Sequence, residues 1–197
     1  AKPFEIAIKD GGATGVMSAY SRIGKTWCGG SSALLKDLLR NEWGYDGIVV
    51  SDCGAIDDFH RKNAHETHPD AASASAKAVL SGTDLERGGS YRALVEGVEK
   101  GLIKEEDIDV SIKRLLKARF ELGEMDDLSE VSWSKIPYSV VASAKHSELA
   151  LDMTRKTMTL LQNKNNILPL AKKGQKIVVM GPNANDSIMQ WGNYNGT

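Results

Sequence analysis

The stretch GYDGIVVSDCGAIDDF, Gly44 to Phe59, decides how the rest of the chain is read. Its centre, Ile48, Val49 and Val50, is an unbroken apolar run of the kind that forms a strand buried on both faces. The run stops at Ser51 and Asp52, with Gly54 two residues further on. In parallel α/β folds, ligands collect outside the carboxyl ends of the strands, and in barrels the catalytic groups come from those ends. Asp52 is thereby delivered to a rim where a carboxylate can act as nucleophile, base, metal ligand or substrate clamp. Glycine at 54 lets the backbone turn without a side chain crowding that carboxylate. The plainer alternative is a cap, because an aspartate ending a βα loop also suits the start of the next helix. The pattern alone leaves both readings open.

Working outward, ATGVMSAY (13–20) is short, apolar and β-compatible, and SRIGKT after it is a polar turn. SSALLKDLLRNEWG then predicts a helix, with Leu34, Leu35, Leu38 and Leu39 at helical spacing, Ser32 as its cap and Gly44 as its stop. Beyond the central strand, HPDAASASAKAVLSG predicts an alanine-rich helix closing at Gly82, and TDLE a third short strand. YRALVEGVEKG and EEDIDVSIKRLLKARFELG are helical, the second with Ile108, Ile112, Leu115, Leu116 and Phe120 on one stripe and Gly123 at the stop. Alternation of strand and helix over 13–123 predicts an α/β layer with about three parallel strands. MDDLSEVSWSKIPYS (125–139) lacks periodicity and carries a proline, which reads as a linker. HSELALDMTRKTMTLLQN returns to helix and then a short strand; KIVVMGPNAND reads as strand, turn and polar loop.

The 197 residues carry a formal net charge of −1, with 41% hydrophobic and 26% charged residues, an ordinary globular balance. No basic face advertises nucleic acid or anionic lipid, and the sparse aromatics are not interleaved with basic residues. No apolar run approaches the roughly 20 residues of a membrane helix, and AKPFEIAIKDGGATGVMSAY has no signal-peptide shape. Lacking an initiator Met, the sequence is expected to begin mid-fold. Cys28 and Cys53 are too far apart for a zinc pair and stand as two free thiols or one bridge.

Several motifs together resemble glycoside hydrolase family 3, the β-glucosidase and β-xylosidase family. GVMSAY matches its V-M-x-x-Y strand, Cys28 to Leu35 its C-x-x-x-x-x-L-L helix, and EWGYDGIVVSD its E-W-G-[FY]-x-G-x-V-x-S-D segment. SGTDLERG is similar to its A-G-x-D-x-E segment, while TLLQNKNNILPL, KIVVMGPNAND and WGNYNGT resemble the opening of its second domain. The resemblance implies the C-terminal part of a (β/α)₈ barrel over 1–124, a linker over 125–142, and the first elements of an α/β sandwich over 143–197. It implies a retaining exo-acting β-glycosidase with Asp52 as nucleophile, forming a covalent glycosyl ester, and a second carboxyl group about 5 Å away acting as acid and then base. That acid/base is expected outside this chain, so the chain alone is expected to be inactive.

On the same resemblance, Tyr20 lies beside the sugar at the cleavage point. Cys53 stands where tryptophan often follows the aspartate, a departure associated with the β-xylosidase branch that makes pentose substrates the more plausible. Both are candidate substrate-binding residues. A β-N-acetylhexosaminidase, a glycoside phosphorylase or a non-catalytic carbohydrate-binding relative are the alternatives. The expected partners are a glycoside substrate and the missing barrel half, or a second copy of the chain, since an open sheet edge seeks pairing. Plant-polysaccharide scavenging by the family suggests an extracytoplasmic setting, periplasmic or secreted.

Three other features invite a function. His60, His65 and His68 cluster with Asp57, Asp58 and Glu66, but in a probable loop with no fixed helical face, so a solvated loop is expected and no metal or other cofactor. Asp84 and Glu86 near the same rim read either as active-site carboxylates or as an ion pair or helix cap. MGPNAND has one glycine and neither Walker nor G-x-G-x-x-G spacing, and is expected to be a simple turn.

Overall fold

The computed structural model describes residues 2–191, so that all of WGNYNGT but its first residue, Trp191, lies outside the described residues. The chain divides into two units, residues 1–136 and 137–197.

The first unit is α/β. Strand β1 (Gly15–Ser18) and strand β4 (Ile48–Ser51) pair in parallel, Val16 opposite Val49 and Ser18 opposite Ser51. The expected third strand shrinks to a single parallel bridge, Leu85 beside Val50, held by the N–H groups of Asp84 and Leu85 on the Val49 carbonyl and of Ser51 on the Leu85 carbonyl. Burial along β4 alternates: Val49 and Ser51 are fully buried, whereas Ile48 and Val50 are only half-buried. The expectation of a strand buried on both faces is corrected to this extent, because the helices of the unit cover one face more fully than the other. SRIGKT is more ordered than a turn, with β2 (Arg22–Ile23) and β3 (Thr26–Trp27) pairing antiparallel.

The helix predicted from SSALLKDLLRNEWG spans Ala33–Glu42 and is wound as a π-helix. Its capping oxygen comes from Ser31, which accepts the Leu34 N–H at 3.3 Å, and not from Ser32, whose backbone is already helical. Leu35 and Leu39 pack on Tyr45 and Val49, joined by Ile8, Val16, Leu34 and Trp43. Ile8 belongs to an N-terminal helix, Lys2–Lys9, that sequence reading did not single out.

The alanine-rich helix forms as predicted, over Ala71–Ser81. Asp70 caps it, accepting the Ser73 N–H at 2.8 Å, and Gly82 ends it at φ 111°, a left-handed conformation that glycine adopts without steric cost. The small residues let other elements approach: Ala74 and Ala78 meet Ile56 and Phe59, while Ala76 and Val79 meet Ile103. The Ser73 backbone N–H, followed by its hydroxyl, pulls the Asp70 carboxyl down to about 2. Folded Asp70 binds its proton less readily than unfolded Asp70, so its stabilisation is complete above the ordinary carboxylate range and disappears as pH falls through about 2. Melting temperatures measured from pH 5 to pH 2 are therefore expected to fall more in the unsubstituted protein than in Asp70→Asn, whose amide caps without titrating.

The last helix of this unit, Glu105–Glu121, shows a different inner face from the one its apolar stripe predicts. Ser111 is buried and Ile108, Arg114, Leu115 and Ala118 half-buried, while Ile112, Leu116 and Phe120 stay exposed. A polar attraction turns the helix this way: Ser111 and Arg114 both reach the carboxylate of Asp84.

In the second unit, Ala144–Thr157 is helical and Ser143 caps it. The strands expected after Thr157 and over KIVVM do not form, and Ile177, Val178, Val179 and Met180 are exposed. A strand needs a neighbour for its N–H and C=O groups, and among the described residues of this unit none runs alongside. No described helix is long and apolar enough to cross a membrane.

Candidate active site at the strand tip

The parallel pairing that aligns Ser18 with Ser51 carries Asp52 one residue past the sheet, its N–H still donating to the Ser18 carbonyl at 3.0 Å. The carboxylate Oδ1 accepts the Cys53 N–H at 2.7 Å. Oδ2 takes no partner among the described residues. The cap reading loses ground here, because the Ala55 N–H that would define it goes to the Asp52 carbonyl (3.1 Å) and not to the side chain. Gly54 turns the chain at φ 68°.

Bonds from the neighbouring segment hold this turn in place. Ser51 is buried; its hydroxyl donates to the Asp52 carbonyl at 2.9 Å and accepts the Arg87 N–H at 3.0 Å. The Gly54 N–H donates to the Arg87 carbonyl at 2.6 Å. From the other side, the Tyr20 hydroxyl donates to the Cys53 carbonyl. Tyr20, Asp52 and Cys53 are thus brought together at the strand tip. Tyr20 and Cys53 are exposed beside a half-buried Asp52. Cys28 is buried and Cys53 exposed; both are free thiols, which closes the alternative of a bridge between them.

The two carboxylates of the TDLE segment part company. Asp84 is a structural hub: Oδ2 meets Arg40 at 2.6 Å and the Val49 N–H at 2.9 Å, and Oδ1 meets Arg114 at 2.9 Å and Ser111 at 3.1 Å. Glu86 is a cap, Oε1 accepting the Ser90 N–H at 3.1 Å and Oε2 the Tyr91 N–H at 2.8 Å. Its carboxyl group lies beside that of Asp57, both of them against Gly88. Asp57, first grouped with the histidines, belongs to this cluster, and the Ser90 hydroxyl donates to it.

The histidine loop is packed, not merely solvated. His65 stacks on Trp27 and His68 on Phe59, and burial lowers the readiness of His68 to take a proton. Among the described residues, no three His, Cys, Asp or Glu side chains converge as a metal-binding group.

Residues 1–118 match the model of the glycosyl hydrolase family 3 N-terminal domain, and residues 158–197 that of its C-terminal domain. The chain belongs to glycosyl hydrolase family 3. It is 51% identical to a xylan 1,4-β-xylosidase of Xylanibacter ruminicola over 98% of this chain and 22% of that protein. It is 33% identical to a β-xylosidase/α-L-arabinofuranosidase of Medicago sativa subsp. varia, over 98% of this chain and 25% of the relative. Among solved structures it is similar to a family 3 exo-β-xylosidase in complex with a xylobiose aziridine probe, at TM-score 0.75 and 29% identity over 86% of this chain and 22% of that one. A β-glucosidase of Listeria innocua gives TM-score 0.71 at 26% identity, covering 86% of this chain and 23% of that one. The chain spans about a quarter of the length of the curated relatives it matches.

Proposed function

We propose that this chain is the nucleophile-bearing segment of a retaining exo-acting β-xylosidase. The observation that carries the proposal is the mounting of Asp52: a carboxylate at the tip of a parallel strand, one oxygen held by the Cys53 N–H and the other without a partner among the described residues. The 51% identity to a xylan 1,4-β-xylosidase favours xylose over glucose, and Cys53 in place of the commoner tryptophan agrees with that choice. The likeness to β-glucosidases keeps glucosides as the second reading.

In this mechanism, Asp52 Oδ2 attacks the anomeric carbon from the face opposite the leaving group. The C1–O bond breaks, a carboxylic acid from elsewhere in the enzyme protonates the departing oxygen, and the sugar is held as an ester of Asp52. The same acid, now a carboxylate, takes a proton from water, whose oxygen displaces Asp52 and restores the original configuration. The Cys53 N–H holds Oδ1 in place and so sets the direction in which Oδ2 faces. Tyr20, bonded to the Cys53 carbonyl, fixes the peptide on which Asp52 sits and lines the sugar site with Cys53.

The first unit then belongs to a (β/α)₈ barrel over 1–124, followed by a linker over 125–142 and the start of an α/β sandwich; the two family matches, 1–118 and 158–197, support that division. Further barrel elements, or a second copy of the chain, are the fitting partners of an apolar cleft lined by Phe4, Ile8, Val16, Leu34, Leu39 and Trp43. An extracytoplasmic setting suits an enzyme that works on cell-wall xylosides.

Covalent trapping tests the proposal. The full-length enzyme is incubated with 2-deoxy-2-fluoro xylosyl and glucosyl fluorides and the adduct mapped by peptide mass. Label is expected on Asp52, faster with the xylosyl reagent. Label on a different carboxylate, or none while xylosides are hydrolysed, would overturn it.

A further inference from the structure

Asp57 and Glu86 lie on the two segments that hold the strand tip. Asp57 opens a single 3₁₀ turn, Asp57–Phe59, directly after the Asp52 loop. Glu86 stands just beyond the bridge at Leu85, on the segment whose Arg87 is bonded to both Ser51 and Gly54. Both carboxyl groups are tied to Ser90, Asp57 through its hydroxyl and Glu86 through its N–H, and two carboxylates held this close at one site favour keeping one proton between them. Gly88 lies against the pair: a Cβ there would come within 3.0 Å of Asp57 Oδ2 and closer still to Glu86 Oε1.

We propose that Asp57 and Glu86 share one proton, and that this shared proton clamps the two segments and makes both residues positioning residues for Asp52. The inference rests on Asp52 being the nucleophile.

The surroundings favour the proton on Glu86. Burial raises the Glu86 pKa, with the Tyr91 and Ser90 N–H groups opposing and Asp57 adding to the rise. Burial also pushes Asp57 up, but the Ser90 hydroxyl, the Gly89 N–H, Glu86 and Arg61 together leave it lowered. Of the charged groups around the pair, one cation faces Asp57 itself. Arg61 lies 3.6 Å from Asp57 and 3.5 Å from Asp58. The Tyr91 hydroxyl donates to the Thr83 carbonyl, and Asp84 is held by Arg40 and Arg114. Glu86 is badly placed to protonate a leaving group, because both its oxygens are taken by backbone N–H groups and its proton faces Asp57.

Above the pH at which the shared proton leaves, two carboxylates face each other and repel. The seam between them contains the Gly54–Arg87 and Arg87–Ser51 bonds, so the mount of Asp52 loosens. Glycosyl transfer to Asp52 then falls with rising pH, independently of the general acid.

The test uses the full-length enzyme with 2,4-dinitrophenyl β-xyloside, whose departure needs no proton, so ionisation of the general acid leaves kcat/KM unmoved. The unsubstituted enzyme is expected to lose kcat/KM about tenfold per pH unit on its alkaline limb. Glu86→Gln, which carries no titrating proton, is expected to stay flat over that range, whatever its absolute rate. A flat profile in the unsubstituted enzyme, or a Gln variant that declines in parallel, would overturn the proposal. So would a Gln variant that is slow only on poor leaving groups and yields β-xylosyl azide with added azide, since Glu86 would then be the acid itself. Should Glu86→Gln fail to fold, Asp57→Asn is read by the same criteria. Trapping with the 2-fluoro xylosyl fluoride separates the two claims: Asp52 labelled with parallel profiles sinks the clamp alone, whereas Asp52 unlabelled sinks the nucleophile.

Discussion

Replacing Asp84 by alanine is expected to remove about 3–5 kcal/mol of folding stability, the cost of leaving a buried charge without its partner. The Asp84 side chain is fully buried, and Arg40, its partner at 2.6 Å, is nearly so at 9% exposure. Burial already weakens the hold of Arg40 on its proton, and Asp84 is the main group restoring it. Without the carboxylate, the Arg40 guanidinium keeps its charge in a site built to neutralise it, and the Val49 N–H loses its side-chain acceptor. One side chain here joins β4, the π-wound helix Ala33–Glu42 and the helix Glu105–Glu121. Domains commonly have only about 5–15 kcal/mol in total, so soluble yield should drop as well. Urea denaturation of the full-length protein measures the effect. A midpoint shift equivalent to less than about 1 kcal/mol, the scale of an exposed pair, would show that Asp84 is not the hub its contacts describe.

The second large effect falls on chemistry and leaves the fold alone. Asp52→Asn is expected to lower turnover of an aryl β-xyloside on the order of 10⁴-fold, the scale on which removal of one catalytic group acts. Thermal melting should hardly move, because the lost carboxylate makes one side-chain bond, to the adjacent Cys53 N–H. Asp52→Gly supplies the stereochemical check. With azide present, the anion takes the vacated space and attacks C1 once, so the product expected is the α-xylosyl azide. A β-azide would mean that another residue still forms the covalent intermediate and that Asp52 serves elsewhere.

The glycine and carboxylate contacts at the rim also explain why two acids of one short segment, Asp84 and Glu86, have such different duties. Both were legible as carboxylates near the strand ends. Ion pair and cap were both among the readings, but which acid took which was not legible: Arg40 and Arg114, which decide for Asp84, lie far along the chain, and the Ser90 and Tyr91 N–H groups that Glu86 caps are turned onto it only by the folded segment. The apolar stripe on Glu105–Glu121 misled for the same reason. Its periodicity is real, but the attraction of Ser111 and Arg114 to a buried aspartate outweighs the burial of Ile112, Leu116 and Phe120.

The sequence by itself determined the features whose causes are adjacent in the chain. These are the helix Ala71–Ser81 between its Asp70 cap and Gly82, the strand Ile48–Ser51, the carboxylate at its tip and the left-handed glycine beyond it. It also carried the family, through motifs that span nearly the whole chain. The tertiary structure alone decided that the Cys28 and Cys53 thiols stay apart, and that KIVVM forms no strand among the described residues. It alone brought Asp57 beside Glu86. Caps and turns are closed by backbone groups a few residues away, whose positions local dihedrals already set. Ion pairs, shared protons and strand ladders need partners brought from tens of residues away, and only the folded chain determines which of them arrive.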